Sequence, residues 1–242
     1  MEEYKEYYIA FIDVLGFKQM VQEKTCQEII DIYKSIKSMR VLQKHIEDGG
    51  TENSVPFIPH ADINIKIMSD SVCIYIRADI SSSLFQLIFI CMDFQSRMLE
   101  LDPPILIRGA IAKGNLYSDG DIVFGPGFVQ AYVMEEKNAS VPRIIITKEI
   151  VDDYNRAFPE MPVEMPVPSN MLNRDYDAFY YVEYISAYGI TNREKMGKYE
   201  ELYNYIEKVL NSTTDDSIRN KFLYLESKVL PLMKIENSWL CH

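Results

Sequence analysis

Hydrophobic positions in the first half of the chain form short runs with two different periods. Residues 7–14 (YYIAFIDV) are rich in aromatic and β-branched residues and predict a buried strand. Apolar residues then recur at helical spacing over residues 25–45. The runs INIKIM and VCIYIR flank Ser69-Asp70-Ser71 and predict a β-hairpin with an acid at its tip. Serines at residues 81–83 begin a mostly apolar helix.

The second half continues the alternation of strands and helices. After Pro103-Pro104, ILIRGAIAKG predicts a strand, and residues 115–127 predict an arm that returns at Gly125. FVQAYVMEEKNA predicts a short helix, followed by strands at RIIITKE and AFYYVEYI, with a Pro-rich connection over residues 158–169 between them. Two amphipathic helices occupy about Asn192 to Leu240, and the second begins near Asp215.

This order of elements predicts an α+β fold with a mainly antiparallel sheet covered by helices on one face. We divide the chain into a main domain over residues 1–190 and a C-terminal helical hairpin over residues 191–242. The length of 242 residues suits one core domain with a small appendage.

The composition of the chain indicates which classes of partner and which cellular compartment to expect. The net charge is −11 and no stripe of Lys and Arg follows any element, so we expect no duplex nucleic acid as partner. The longest apolar run, residues 84–92, is too short for a bilayer, and the first residues lack a signal-peptide pattern. We therefore expect a cytoplasmic protein with no membrane partner. The widely spaced cysteines predict neither a disulfide nor a zinc site: Cys26, Cys73, Cys91 and Cys241.

Asp13 stands at the end of the first buried strand, where an unpaired charge is costly. If the first strand and the hairpin are neighbours in the sheet, Asp13 and Asp70 meet at one edge. Two close carboxylates repel each other unless a cation lies between them, and Mg²⁺ binds through one or two carboxylates plus substrate phosphates. The pair therefore predicts a site for a metal and a nucleotide.

Residues 11–17 (Phe-Ile-Asp-Val-Leu-Gly-Phe) match the Phe-x-Asp-x-x-Gly-Phe motif of the class III nucleotidyl cyclases. Residues 66–70 (Lys-Ile-Met-Ser-Asp) resemble the family's Lys-x-x-Gly-Asp hairpin, with Ser69 in place of glycine. Residues 108–114 resemble its Arg-x-Gly-Ile-x-x-Gly strand, with the first glycine one place early. Residues 121–131 resemble the family's next series, which is an Asp, an aromatic-Gly pair and Val-Asn-x-Ala. Here these positions are Asp121, Phe124-Gly125 and Val129-Gln130-Ala131. The similarity covers residues 7–150. Residues 11–18 (Phe-Ile-Asp-Val-Leu-Gly-Phe-Lys) resemble the first motif of a divergent bacterial group of cyclase-like proteins.

The resemblance implies a ferredoxin-like or palm-type sheet and a homodimer whose sites form between two chains. It also implies roles for individual residues. Two Mg²⁺ or Mn²⁺ ions would bind at Ile12, Asp13 and Asp70, and the catalytic residues would be Asp13, Asp70 and Arg108. The triphosphate would bind at Leu15, Gly16, Phe17 and Lys18, and the base and ribose at Lys66, Asp121 and Gln130. A lysine at position 66 favours ATP or a pyrimidine triphosphate over GTP.

The helix at residues 128–139 departs from the family pattern. Most active members carry an Asn and, four residues later, an Arg that stabilises the transition state. Here Val129 or Gln130 stands at the first position and Val133 or Met134 at the second. The arginine is missing, and Arg143 and Lys113 are the alternative sources of its charge.

Three functions are consistent with these residues. The first is a cyclase that makes a 3′,5′-cyclic nucleotide and pyrophosphate, with a role in bacterial signalling or defence against phage. The second is a degenerate cyclase fold that binds a nucleotide or a protein without turnover. The third is a palm-type nucleotidyltransferase that makes an oligonucleotide. For single residues structural alternatives also stand: Asp13 as a turn-capping acid and Arg108 as part of a structural salt bridge.

Overall fold

The computed structural model describes residues 3–37, 63–80, 82–157, 171–190 and 197–240. Its strands are β1 Lys5–Val14, β2 Asn64–Met68, β3 Ser71–Arg77, β4 Ile107–Asp119, β5 Ile122–Phe124, β6 Ile144–Ile146, β7 Leu172–Arg174 and β8 Tyr180–Val182. Its helices are α1 Phe17–Glu23, α2 Cys26–Lys37, α3 Ser83–Leu99, α4 Pro126–Asn138, α5 Lys148–Ala157, α6 Ile185–Ile190, α7 Lys198–Ser212 and α8 Asp216–Leu240. No helix within these ranges is both long enough and apolar enough to span a bilayer.

The strands form one mixed sheet in the order β2-β3-β1-β4-β6-β8-β7, with β5 paired to the far end of β4. β1 is central and runs antiparallel to both β3 and β4, while β4 and β6 are parallel. The predicted α+β fold is confirmed. β1 neighbours the hairpin strand β3, as predicted, because both are apolar enough to be buried in the middle of the sheet.

Helices cover both faces of the sheet, so the prediction of helices on one face only is wrong. Alternate residues of β1 are buried on opposite sides, since Tyr8, Ala10 and Ile12 pack with α3 and its neighbours. Ile9 and Phe11 pack on the other side, where α4 lies. We call these sides the α3 face and the α4 face. A strand with apolar residues at every position needs a cover on each side.

Helix α4 approaches the sheet closely because glycines meet at the contact. A Cβ atom on Gly127 would lie 2.6 Å from Cδ1 of Ile9 and 2.9 Å from the backbone of Gly114. Only hydrogen fits at these two positions. The close approach also buries the next inward residues of α4, Ala131 and Glu135.

The arm formed by β4 and β5 folds back across the α4 face. The Tyr75 hydroxyl on β3 lies 2.8 Å from Oγ of Ser118 on the arm. At the tip, the Lys66 ammonium donates to the carbonyl of Gly120. The arm predicted from Asn115 to Gly125 is confirmed, since β4 continues to Asp119 and β5 returns beside it as an antiparallel strand.

The C-terminal helices pack on the α3 face through Leu202, Ile206, Leu225 and Val229. A buried charge cluster also ties α8 to the sheet. Arg143 is 2% exposed and pairs with Asp175 and Asp177. Lys228 and the Tyr224 hydroxyl of α8 bind the same Asp175 carboxylate, the hydroxyl at 3.0 Å.

The sequence predicted most of these elements and missed α1, α5, α6 and β7, each ten residues or shorter. The predicted start of the last helix is confirmed, since Oδ1 of Asp215 accepts hydrogen bonds from the backbone of Ser217 at 2.7 Å and of Ile218 at 3.0 Å. The helix predicted over residues 25–45 is confirmed as far as Lys37. Its remainder, the Pro-rich connection at 158–169 and Cys241 lie outside the described residues.

Candidate active site

Asp13 and Asp70 occupy neighbouring positions at one end of the sheet, as the sequence predicted. In the ladder between β1 and β3, Asp13 is opposite Ser71, the residue after Asp70. The backbone N–H of Val14 donates to the Asp70 carbonyl at 2.9 Å, which fixes the hairpin tip against the end of β1. Burial raises the pKa of Asp13, the Arg108 guanidinium opposes that rise, and the charge of Asp70 adds to it.

Arg108 on β4 is directly opposite Asp13 on the other side of β1. Its Nε donates to Oδ2 of Asp13 at 3.2 Å and lies 2.9 Å from Oε1 of Glu135. A terminal nitrogen of the guanidinium donates to the carbonyl of Ala139 at 3.0 Å. The structure thus gives Arg108 partners within the chain, as the salt-bridge alternative predicted. Its expected contact with the leaving phosphates requires these bonds to rearrange.

Glu135 is the member of this cluster that sequence reasoning missed. It is 3% exposed, and burial raises its pKa to about 7, with Arg108 lowering it and Asp13 raising it. Its Oε1 accepts no aligned hydrogen bond from the described residues, so its contact with Arg108 is an ion pair only. A signal was present in the sequence, because Gly127, Ala131 and Glu135 recur every four residues on one side of α4.

The turn after β1 places the predicted phosphate-binding residues beside Asp13. Gly16 has a φ of +78°, a left-handed conformation that favours glycine, and it precedes α1. The Leu15 amide donates to the Leu106 carbonyl at 2.9 Å, so this N–H is not free for a phosphate. Phe17 packs near Tyr33 at a ring distance of 6.3 Å, and Lys18 is exposed. The phosphate expectation therefore rests on Gly16, Phe17 and Lys18.

Two of the residues predicted to bind the base or ribose lie together. Nζ of Lys66 is 3.8 Å from Oδ1 of Asp121 at the tip of the arm. Lys66 is opposite Cys73, which in turn is opposite Phe11, so its side chain is on the α4 face with that of Asp13. The two residues are far apart along the chain, and before the structure only the family resemblance indicated that they lie together.

Gln130 is not brought to Asp13 within one chain. It is exposed on α4 near Gly114, which is opposite Tyr7 at the other half of β1. Tyr7 and Asp13 are six positions apart on the strand, a distance of roughly 20 Å. Neither alternative source of positive charge reaches Asp13 either. Arg143 is bound in its buried cluster, and Lys113 binds Asp153 at 3.0 Å on the α3 face.

The acids at this end of the sheet fit a divalent cation that arrives with a substrate. Within the described ranges no three His, Cys, Asp or Glu side chains are grouped closely enough to hold a metal ion alone. Mg²⁺, however, needs only one or two carboxylates when phosphates supply the other oxygens. Asp13 and Asp70 are two carboxylates at neighbouring backbone positions that could serve in this way.

No protein-family model and no curated protein sequence matches the chain. Solved structures do match. The monomeric guanylyl cyclase domain of the RhoGC fusion protein from the aquatic fungus Blastocladiella emersonii aligns with a TM-score of 0.51 and 11% identity over 75% of this chain and 96% of that one.

Two further structures align at lower scores. The catalytic core of a rhodopsin-guanylyl cyclase with converted specificity, in complex with ATPαS, has a TM-score of 0.49 and 12% identity over 76% of this chain and 97% of that one. An adenylate/guanylate cyclase/hydrolase from Silicibacter pomeroyi has a TM-score of 0.45 and 14% identity over 75% and 99%. On its architecture and its alignment with the fungal domain, the chain has the fold of the class III nucleotidyl cyclases.

Proposed function

We propose that the protein is a nucleotidyl cyclase that converts a nucleoside triphosphate to a 3′,5′-cyclic nucleotide and pyrophosphate. The observation that carries this proposal is the placement of Asp13 and Asp70 at adjoining positions of β1 and the hairpin, in a fold shared with a guanylyl cyclase domain. In the reaction the ribose 3′ oxygen bonds to the α-phosphorus, the bond to the β-phosphate breaks, and the hydroxyl proton passes to solvent.

Asp13 and Asp70 would hold two Mg²⁺ or Mn²⁺ ions, with the backbone of Ile12 as a further oxygen donor. When bound, such ions lower the pKa of the 3′ hydroxyl and compensate the charge of the phosphates. The chain's own contribution is to fix the two carboxylates. Backbone pairing of β1 with β3 and β4 on both sides makes the end of β1 a rigid support for Asp13.

The triphosphate would lie over the turn at Gly16, with the exposed Lys18 as its positive partner. Lys66 and Asp121 are together on the α4 face, and a base seated there would meet one donor and one acceptor side by side. This arrangement favours a base that presents a hydrogen-bond acceptor to Lys66 and a donor to Asp121. On the resemblance, Lys66 points to ATP or a pyrimidine triphosphate.

The distance between Gln130 and Asp13 supports a site shared by two chains. In one chain the ribose-binding candidate on α4 and the metal-binding acids are at opposite ends of β1. A two-fold dimer that apposes the α4 faces would bring Gln130 of one copy toward Asp13 of the other. We therefore propose a homodimer, acting in the bacterial cytoplasm in nucleotide signalling or in defence against phage.

Mass spectrometry of the purified protein with Mn²⁺ and each of ATP, GTP, CTP and UTP tests the activity. We expect one cyclic mononucleotide, lost in Asp13→Asn and in Asp70→Asn. Asp152→Asn is the matched control, because Asp152 is an exposed acid of α5, which packs on the opposite face of the sheet. A product that persists in both site variants, or a linear oligonucleotide, would contradict the proposal.

A second function, nucleotide binding without turnover, is favoured by two observations. Arg108 is engaged by Asp13 and Glu135 within the chain. Val133 and Met134 stand where active cyclases carry the transition-state arginine, and loss of one such donor costs about 10²- to 10³-fold in rate. Calorimetric binding of a triphosphate that depends on Mn²⁺ and on Asp13, with no product in the mass spectrum, would establish this function instead.

A further inference from the structure

The strongest unassigned feature is the position of Arg108 between two acids from different elements. Its Nε is 3.2 Å from Oδ2 of Asp13 on β1 and 2.9 Å from Oε1 of Glu135 on α4. Glu135 is fully enclosed, and one of its oxygens has no aligned hydrogen-bond donor among the described residues. A buried carboxylate with so little compensation is unusual, since burial of a charge is costly without complete pairing.

We propose that Glu135 is a positioning residue for the cation site: by compensating the charge of Arg108, it leaves the Asp13 carboxylate free to bind a divalent cation. This inference rests on the proposed function of Asp13 and Asp70. Glu135 does not contact the substrate in it. It acts through Arg108.

The carboxylate partners of Arg108 determine how strongly it binds Asp13. Without Glu135, the guanidinium of Arg108 has Asp13 as its carboxylate partner, and a cation must compete with that ion pair. With Glu135 ionised, the two carboxylates share one guanidinium, and Asp70 adds a third negative charge nearby. Asp13 is then bound less strongly by Arg108, so a divalent cation displaces a weaker ion pair when it binds Asp13.

The architecture keeps Glu135 in this place. The contact between Gly114 and Gly127 brings α4 against the sheet, and Glu135 follows Gly127 by eight residues on the same side of the helix. The guanidinium is further held by the carbonyl of Ala139 at 3.0 Å. Arg108 is thus fixed between the sheet and α4, and removal of one acid shifts its full charge to the other.

Binding of Mn²⁺ together with inorganic pyrophosphate, which supplies phosphate oxygens, to the full chain tests the inference without reference to catalytic activity. It is followed by electron paramagnetic resonance at pH 8. Asp13→Asn should abolish the binding. Glu135→Gln should weaken it about tenfold, because Asp13 is then the only carboxylate partner of Arg108 and the cation must displace a stronger ion pair. Glu135→Asp keeps the charge and should restore most of the affinity. Glu136→Gln removes an exposed charge from the same helix and should leave the affinity unchanged.

A second comparison separates positioning from a general effect of charge or packing. In an Arg108→Gln background, Glu135→Gln should cause no further loss of Mn²⁺ affinity, because the residue through which it acts is gone. Equal losses in both backgrounds, or unchanged affinity in folded Glu135→Gln protein, would overturn the role of Glu135 while Asp13-dependent binding still stood. Absence of Asp13-dependent binding in the wild type would instead overturn the proposed cation site, and this inference with it.

Discussion

Replacement of Glu135 by glutamine should change how the stability of the protein depends on pH. Burial raises the pKa of Glu135 from 4.5 to about 7. The folded state then binds a proton between these pH values when the unfolded state does not, so the free energy of unfolding falls as the pH rises from 4.5 to 7. At about 1.4 kcal/mol per pH unit, the total fall from this residue is about 3 kcal/mol.

Urea unfolding at a series of pH values from 4 to 8 measures this effect. Other acids also contribute to the profile, so the informative quantity is the difference between wild type and Glu135→Gln. That difference should shift by about 3 kcal/mol in favour of the variant as the pH rises through the interval. Asp152→Asn, an exposed change on α5 at the opposite face of the sheet, should retain the wild-type profile. Parallel profiles for wild type and Glu135→Gln would refute the raised pKa.

Three further substitutions test the packing that supports the site, each by thermal unfolding. Gly127→Ala should cost about 1–3 kcal/mol, because the added methyl group meets β1 and β4 and must push α4 outward; an unchanged melting temperature would contradict the close contact. Arg143→Met should cost about 1.5–3 kcal/mol, because Asp175 keeps Lys228 and Tyr224 but loses its charged hydrogen bond to Arg143, and a stabilised variant would show that the cluster is dispensable. Tyr8→Phe removes a 2.8 Å hydrogen bond to the buried Asp153 and should cost about 1.5–3 kcal/mol, with no loss expected only if water replaces the hydroxyl.

The parts of the site that could be predicted from sequence are those set by local pattern. The strand ending in Asp13 and the hairpin carrying Asp70 are both short, strongly apolar segments with clear turn residues. Neighbouring placement of a strand and a hairpin follows from general rules of sheet topology, so the meeting of the two acids could be anticipated.

The features of the site that local sequence pattern did not predict depend on contacts between distant segments of the chain. The pairing of Lys66 with Asp121 joins two distant segments, which no local pattern encodes, and only the family resemblance implied it. Glu135 was overlooked because the inward stripe of α4 consists of glycine and alanine rather than large apolar residues. Arg108 was expected to face a phosphate, and only the packed α4 shows the second acid beside it.

The buried cluster around Arg143 has a consequence for the cooperativity of unfolding. Asp175, next to the last strands of the sheet, is shared between Arg143 and two side chains of α8. Detachment of α8 would therefore break its two bonds to Asp175 together with its apolar contacts through Leu225 and Val229. Both losses make a partly unfolded state with only the helices detached costly. We expect the sheet and the C-terminal helices to melt in one calorimetric transition, with equal van't Hoff and calorimetric enthalpies. The residues after 190 would then be an integral part of the folding unit rather than an attachment to it.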